Sequence, residues 1–140
     1  MAKKQNYFYA VGRRKSASAR VRLFKRNAVT QGKGENLVND LPAEKYFPGS
    51  VNKIVLDKPF VLTETLGKYY FTARVIGSGK NGQLQAVVHG VARALSLADR
   101  EKFRSPLKKA RLLTRDPRER ERRMVGTGGK ARRAKQSPKR

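Results

Sequence analysis

Hydrophobic side chains recur at every second position near the start of this chain: Tyr7, Tyr9 and Val11, then Ala17, Ala19, Val21 and Leu23. That period predicts two strands, each burying the face that carries those residues. Gly12-Arg13-Arg14-Lys15-Ser16 between them reads as a hairpin loop, and Arg20 and Arg22 fall on the second strand's opposite parity, so loop and outer face form one basic surface. Asn27 to Gly34 has the composition of a turn region, and Asn36-Leu37-Val38-Asn39 fits a short third strand. Pro42 to Phe47 suits a single helical turn with Pro at its start. Ser50 can cap a helix through Leu56 whose apolar members are Val51, Ile54 and Val55, with Pro59 as the stop. Phe60 to Thr65 reads as extended. Tyr69 to Ile76, aromatic or β-branched at nearly every position, is the most β-prone run.

After Asn81-Gly82 the period changes. Leu84, Val87, Val88, Val91, Leu95 and Ala98 recur at spacings of three and four, with Gln85, His89 and Arg93 on the other side, which predicts a core helix lying on a sheet. A further helix from Arg100 to about Lys109 turns Phe103 and Leu107 inward. Past Thr114, Asp116-Pro117 followed by Glu119 resembles a capping box and predicts a short helix, Arg118 to Met124, charged on all sides and unable to hold a core. From Val125 to Arg140 glycine, proline, lysine and arginine dominate, a composition that stays disordered until a partner orders it. The chain thus divides into a flexible N-terminus (1–6), a globular domain (7–113) and a basic C-terminal extension (114–140), with no internal repeat.

Charge turns this pattern into a statement about partners. In 140 residues, 34 Lys and Arg stand against 10 Asp and Glu, a formal charge of +24 and a pI near 11.3, so a polyanion is expected nearby. Ten cations between Arg118 and Arg140 face only Glu119 and Glu121. Only phosphates supply counter-charge at such density, and neutralising them releases condensed ions and makes binding salt-sensitive. Around Arg100, Lys102 and Arg104 acids intervene, and a solvated face explains the charge equally well. The 38% of hydrophobic residues suffices for one modest core. No apolar run approaches the roughly 20 residues of a membrane helix, and Met1 to Tyr7 is not followed by an apolar stretch, so a soluble protein without a signal peptide is expected.

Catalytic chemistry has little to stand on. Cysteine is absent and His89 is the single histidine, so thiol nucleophiles, cysteine zinc clusters and histidine-pair catalysis are excluded, and no cofactor is expected. Gly77-Ser78-Gly79-Lys80-Asn81-Gly82 matches GxGxxG between a predicted strand and a helix. A dinucleotide fold would need a parallel βαβ series with an acid on its second strand, whereas Asp99 only ends the helix. The plainer reading is a glycine-rich turn whose amides and Lys80 touch an RNA phosphate.

The motifs have a known relative. Val11-Gly12-Arg13-Arg14-Lys15-Ser16-Ala17-Ser18-Ala19-Arg20-Val21 resembles the opening signature of the bacterial-type small-subunit ribosomal protein S-nine family. Tyr46-Phe47, Gly77-Ser78-Gly79 with Gly82-Gln83, His89-Gly90-Val91-Ala92-Arg93-Ala94-Leu95, Leu113-Thr114-Arg115-Asp116, Glu121-Arg122-Arg123, Lys130-Ala131-Arg132-Arg133 and Lys139-Arg140 follow in the family's order. The resemblance implies an α/β (α+β) fold, a two-layer domain of the ribosomal S5 domain 2-like type. It would have a mainly four-stranded sheet, a left-handed βαβ crossover and an extended basic tail. It further implies a non-enzymatic constituent of the small ribosomal subunit, bound in its head to the 3′ major domain of the rRNA beside neighbouring head proteins. No membrane and no homo-oligomer are implied, and the setting is a cytoplasmic, bacterial ribosome, with an organellar one left open.

Arg13, Arg14, Lys15, Arg132 and Arg133 carry over as rRNA-binding candidates. Lys139 and Arg140 carry over as the pair that contacts the anticodon stem-loop of peptidyl-site tRNA. Charge and placement add Arg20, Arg22, Lys80, Arg115, Arg118, Arg122, Arg123 and Lys130 to the rRNA-binding set. The ending Gln136-Ser137-Pro138-Lys139-Arg140 lacks the phenylalanine usual in the family, and Thr127-Gly128-Gly129 is slightly longer than usual. Two rivals differ in class. A nucleic-acid binder outside the ribosome would bind arbitrary duplex DNA as well as rRNA; a nucleotide-binding enzyme using Gly77 to Gly82 would bind nucleotide saturably at moderate salt.

Overall fold

The computed structural model describes residues 7–26 and 34–126. Strands β1 (Tyr7–Arg14) and β2 (Ala17–Lys25) form a hairpin, followed by two-residue strands β3 (Leu37–Val38) and β4 (Leu41–Pro42). Helices α1 (Ala43–Tyr46) and α2 (Ser50–Leu62) lead to β5 (Tyr69–Ile76), and α3 (Lys80–Ala98) and α4 (Arg100–Lys109) complete the order. The sheet runs β1-β2-β5-β3-β4, antiparallel except where β3 lies parallel to β5. This is a mixed α/β sheet-and-helix architecture of the α+β kind, with five strands where the expectation was mainly four. The fifth is a two-residue edge piece that sequence period cannot register. No helix among the described residues is long and apolar enough to cross a membrane.

Every inward position expected on β2 is buried: Ala17, Ala19, Val21 and Leu23. Phe71, Ala73 and Val75 of β5 continue that face, and α3 covers it with Leu84, Val87, Val88, Val91 and Leu95. On β1 the expected face is reversed. Ala10 and Gly12, registered against Val21 and Ala19, point into the core, while Tyr7, Tyr9 and Val11 share the outer face with Phe24, Arg22 and Arg20. The reason is steric. A Cβ on Gly12 would collide with the Ala86 carbonyl and the Gly90 amide, and one on Gly90 would stand 2.6 Å from Val21 Cγ2, so strand and helix meet backbone to backbone. Only small residues fit there, and the bulky alternating ones are forced outward.

Gly12 to Arg14 therefore belong to the strand rather than to a loop. Arg14 pairs with Ala17, and only Lys15 and Ser16 make the turn. Helix α2 also departs from expectation. Gly49, not Ser50, is its N-cap, and it continues through Pro59 to Leu62, so Phe60 to Leu62 are helical rather than extended. Its buried face is Leu56, Pro59 and Phe60, while Val51 and Ile54 are about 70% exposed. A proline forgoes one intrahelical bond, but here its ring is in the core and its carbonyl accepts from Thr63 Oγ1 at 2.9 Å. Helix α4 matches its prediction, with Asp99 capping through Lys102 N (3.1 Å) and Leu107 fully buried.

Candidate nucleic-acid interface

Strand β1 is an edge strand, and its outward backbone groups need partners. The polar stripe of α3 supplies them. Arg93 donates to the Val11 carbonyl, and the Arg13 amide donates to His89 Nδ1 at 3.2 Å. One turn earlier, Gln85 Oε1 accepts from Arg14 Nε at 2.7 Å. With Nδ1 accepting, the imidazole proton sits on Nε2 and points at the Leu113 carbonyl, 3.4 Å away. Burial pushes the His89 pKa below its ordinary value, a shift its bond to Leu113 only partly opposes, and the charges of Arg93 and Arg115 act in the same direction as burial.

That stripe also fixes where the chain goes after α4. Arg14, largely buried at 13% side-chain exposure, reaches the Arg118 carbonyl (3.0 Å) and the Asp116 carboxylate (3.1 Å). Asp116 accepts from both the Arg118 guanidinium (2.8 Å) and the Arg118 amide (3.0 Å). These bonds hold its pKa well below the usual carboxylate range. Using the carboxylate two residues on closes a tight turn, and the helix expected from Arg118 to Met124 does not form; residues 115–124 are neither helix nor strand. A segment charged on every side has no apolar face to repay helix nucleation.

The predicted cations therefore sort into three groups. Arg13, Arg14, Lys15, Arg115 and Arg118 gather around the hairpin end, although Arg14 is committed to internal partners, and Arg115 to Glu119 at 3.5 Å. Arg122 and Arg123 are exposed further along the same segment. Arg20 and Arg22 stand apart on the outer sheet face, with Arg22 lying 5.5 Å from the centre of the Tyr7 ring. Lys80 is held by Tyr46, its amine 3.4 Å from the ring centre and 3.3 Å from the backbone carbonyl. Lys130, Arg132, Arg133, Lys139 and Arg140, the N-terminal residues 1–6 and most of the 27–34 turn lie outside the described residues.

Gly77 to Gly79 form a structural turn, and Lys80 to Gly82 open α3. Gly77 has φ of +81°, its missing Cβ makes room for the Ser16 carbonyl, and its own carbonyl accepts from Gln83 Nε2 at 3.1 Å. The strand before it is antiparallel to β2, and α3 is followed by α4 rather than a strand, so the dinucleotide series is ruled out.

The model of the family described as ribosomal protein S9/S16 matches residues 12–140. The chain belongs to the ribosomal protein S9/S16 family. A curated relative, the small ribosomal subunit protein uS9 of Solidesulfovibrio magneticus (strain ATCC 700980 / DSM 13731 / RS-1), is 46% identical over 123 residues, covering 88% of this chain and 89% of that protein.

As a member of the S9/S16 family, the chain has surface features its motifs did not reveal. Arg74, 80% exposed on β5, was missed although it alternates outward with Tyr70, Thr72 and Ile76. Gln85, His89 and Arg93, expected on the helix's other side, clamp the edge strand; their spacing of four is the signal in the sequence.

Proposed function

We propose that this chain is a non-catalytic, structural constituent of the small ribosomal subunit that binds small-subunit rRNA. The support is a +24 chain in the S9/S16 family, aligned over 88% of its length with a small-subunit protein. Further support is that Arg13 at the hairpin end and Arg20 and Arg22 on the outer sheet face are exposed, and a planar guanidinium can bind phosphate bidentately or stack on a base. In this reading residues 7–113 form the rRNA-anchoring domain in the subunit head, at the 3′ major domain and beside neighbouring head proteins. Residues 114–140 form a basic extension that leaves the domain at the Arg14–Asp116 clasp. Within it Arg122, Arg123, Lys130, Arg132 and Arg133 neutralise rRNA phosphates, and Lys139 and Arg140 touch the anticodon stem-loop of peptidyl-site tRNA. The protein acts as one copy in a cytoplasmic ribosome.

Sequencing of RNA crosslinked to the native protein, with crosslinked peptides mapped, tests this. Domain peptides on the 3′ major domain and extension peptides on tRNA anticodon stems are expected. Scattered targets without ribosomal enrichment would sink the ribosomal reading. Deleting Ser137 to Arg140 is expected to weaken peptidyl-site tRNA binding while subunit incorporation persists; loss of assembly would contradict that division of labour.

A further inference from the structure

The outer face of an antiparallel sheet is ordinarily solvated and polar. Here it carries aromatic rings and arginines in cross-strand rows. Tyr7, Phe24 and Tyr70 lie in register on β1, β2 and β5. Their ring centres are 5.6 Å apart for Tyr7 and Phe24 and 5.0 Å for Phe24 and Tyr70, the latter pair stacked within 11° of parallel. The next outward row sets Tyr9, 45% exposed, against Arg22 and Thr72, and the row after that sets Val11 against Arg20 and Arg74. The helices pack on the opposite face, where Ala19, Val21, Leu23, Phe71 and Ala73 are buried.

Resting on the RNA-binding reading above, we propose that this face binds unpaired RNA nucleotides, whose bases stack on Tyr9 and on the Tyr7 end of the aromatic row, the far end of which is closed by Gly34 against the Tyr70 ring, while Arg20, Arg22 and Arg74 hold their phosphates. Three considerations single out that ligand. Three arginines project from the face against one acid nearby, Asp40, 4.0 Å from Arg74, so the occupant is anionic. Rings offer nothing to a phosphate, so the occupant must also present flat apolar surface. A duplex buries its base faces in its own stack and shows this sheet only backbone, whereas a single strand offers both kinds of surface. Outward rows lie about 7 Å apart along a strand, which lets one nucleotide place its base on a ring row and its phosphate on the arginines of the next.

The test is photochemical crosslinking of the full chain to an oligouridylate of about ten nucleotides, with peptide mapping. Affinities for that strand and for an RNA duplex of equal length are measured in parallel, at about 0.3 M salt, where binding by charge alone has fallen steeply. Uridine is expected on peptides of 7–25 and 69–76. The double variant Tyr7→Leu/Tyr9→Leu should lose roughly tenfold in single-strand affinity, the loss of about one stacked base, with duplex affinity unchanged. Arg22→Gln should weaken both, and the unchanged duplex affinity of the tyrosine variant checks that the face still folds. Crosslinks confined to the hairpin turn and extension, or equal loss for single strand and duplex, would overturn the proposal while leaving RNA binding intact. A protein–protein crosslink from this face inside native subunits would overturn it as well. No RNA crosslink at any position would instead bring down the RNA-binding reading itself.

Discussion

The two faces of the sheet are built from the same three strands, one residue out of phase, and they obey opposite rules. On the inner face side-chain size is dictated by what packs opposite: Gly12 where the α3 backbone touches, Val21 where Gly90 makes room for it, Phe71 where α2 brings Phe60 against it at 6.2 Å between ring centres. On the outer face the helices set no such limit, and aromatic rings and arginines dominate, with Ser18 and Thr72 between them and Gly34 close against the Tyr70 ring. Geometry selects the inner residues. Chemistry toward a partner selects the outer ones, and the two faces should respond to substitution in correspondingly different ways.

The sharpest break is at the point of closest approach. Gly12→Val places a branched side chain where the Ala86 carbonyl and the Gly90 amide already sit, and neither is a flexible side chain that can swing away. The expected cost exceeds about 3 kcal/mol, a large fraction of the stability of a small domain. Urea unfolding should show a molten or unfolded protein; a midpoint within error of the wild type would mean that α3 can lift from the sheet. Phe71→Ala, at the centre of the same face, should cost about 3–5 kcal/mol through lost burial and a residual cavity.

These two positions also show what could be read from the sequence alone. Strands β2 and β5 and helices α3 and α4 are legible because most of their large apolar residues lie on the buried face, so period and core coincide. On β1 they part company: the residues that look hydrophobic, Tyr7, Tyr9 and Val11, face outward because the helix admits only Ala10 and Gly12. Pro59 failed as a helix stop for a related reason, since its burial outweighs one missing hydrogen bond. The cations of the candidate site were visible as charge, but their grouping was not. That Arg14 is sequestered, that Arg74 joins Arg20, and that Phe24 stacks on Tyr70 all follow from strand register, a long-range property that no local window contains.

A smaller effect is expected where the two faces meet, at the edge of β1. His89 accepts from the Arg13 amide only while Nδ1 is unprotonated, and its folded pKa lies below the ordinary value near 6.5. As pH falls through about 6.5 the unfolded chain therefore takes up the proton first, so stability is full above that value and declines as pH drops toward the folded pKa. Unfolding midpoints between about pH 8 and pH 5.5 should fall for the wild type and stay flatter for His89→Gln, which keeps a polar side chain but cannot titrate. Equal slopes would show that the imidazole is not coupled to the strand edge.

The outer face should give the smallest change in stability and, if it meets phosphate, a clear change in binding. Arg74 is 80% exposed, and its one ionic neighbour, Asp40, is 4.0 Å away and 88% exposed, so the pair contributes little to folding. Arg74→Gln is expected to shift stability by less than about 0.5 kcal/mol. If its guanidinium neutralises one phosphate, the slope of log affinity against log salt should become shallower by about 0.7 for a single strand. A slope unchanged at unchanged stability would remove Arg74 from the interface and leave the phosphate contacts of this face to Arg20 and Arg22. A stability loss of several kcal/mol would instead mean that the outer face is held by packing of its own, and that its aromatic row belongs to the fold rather than to a partner.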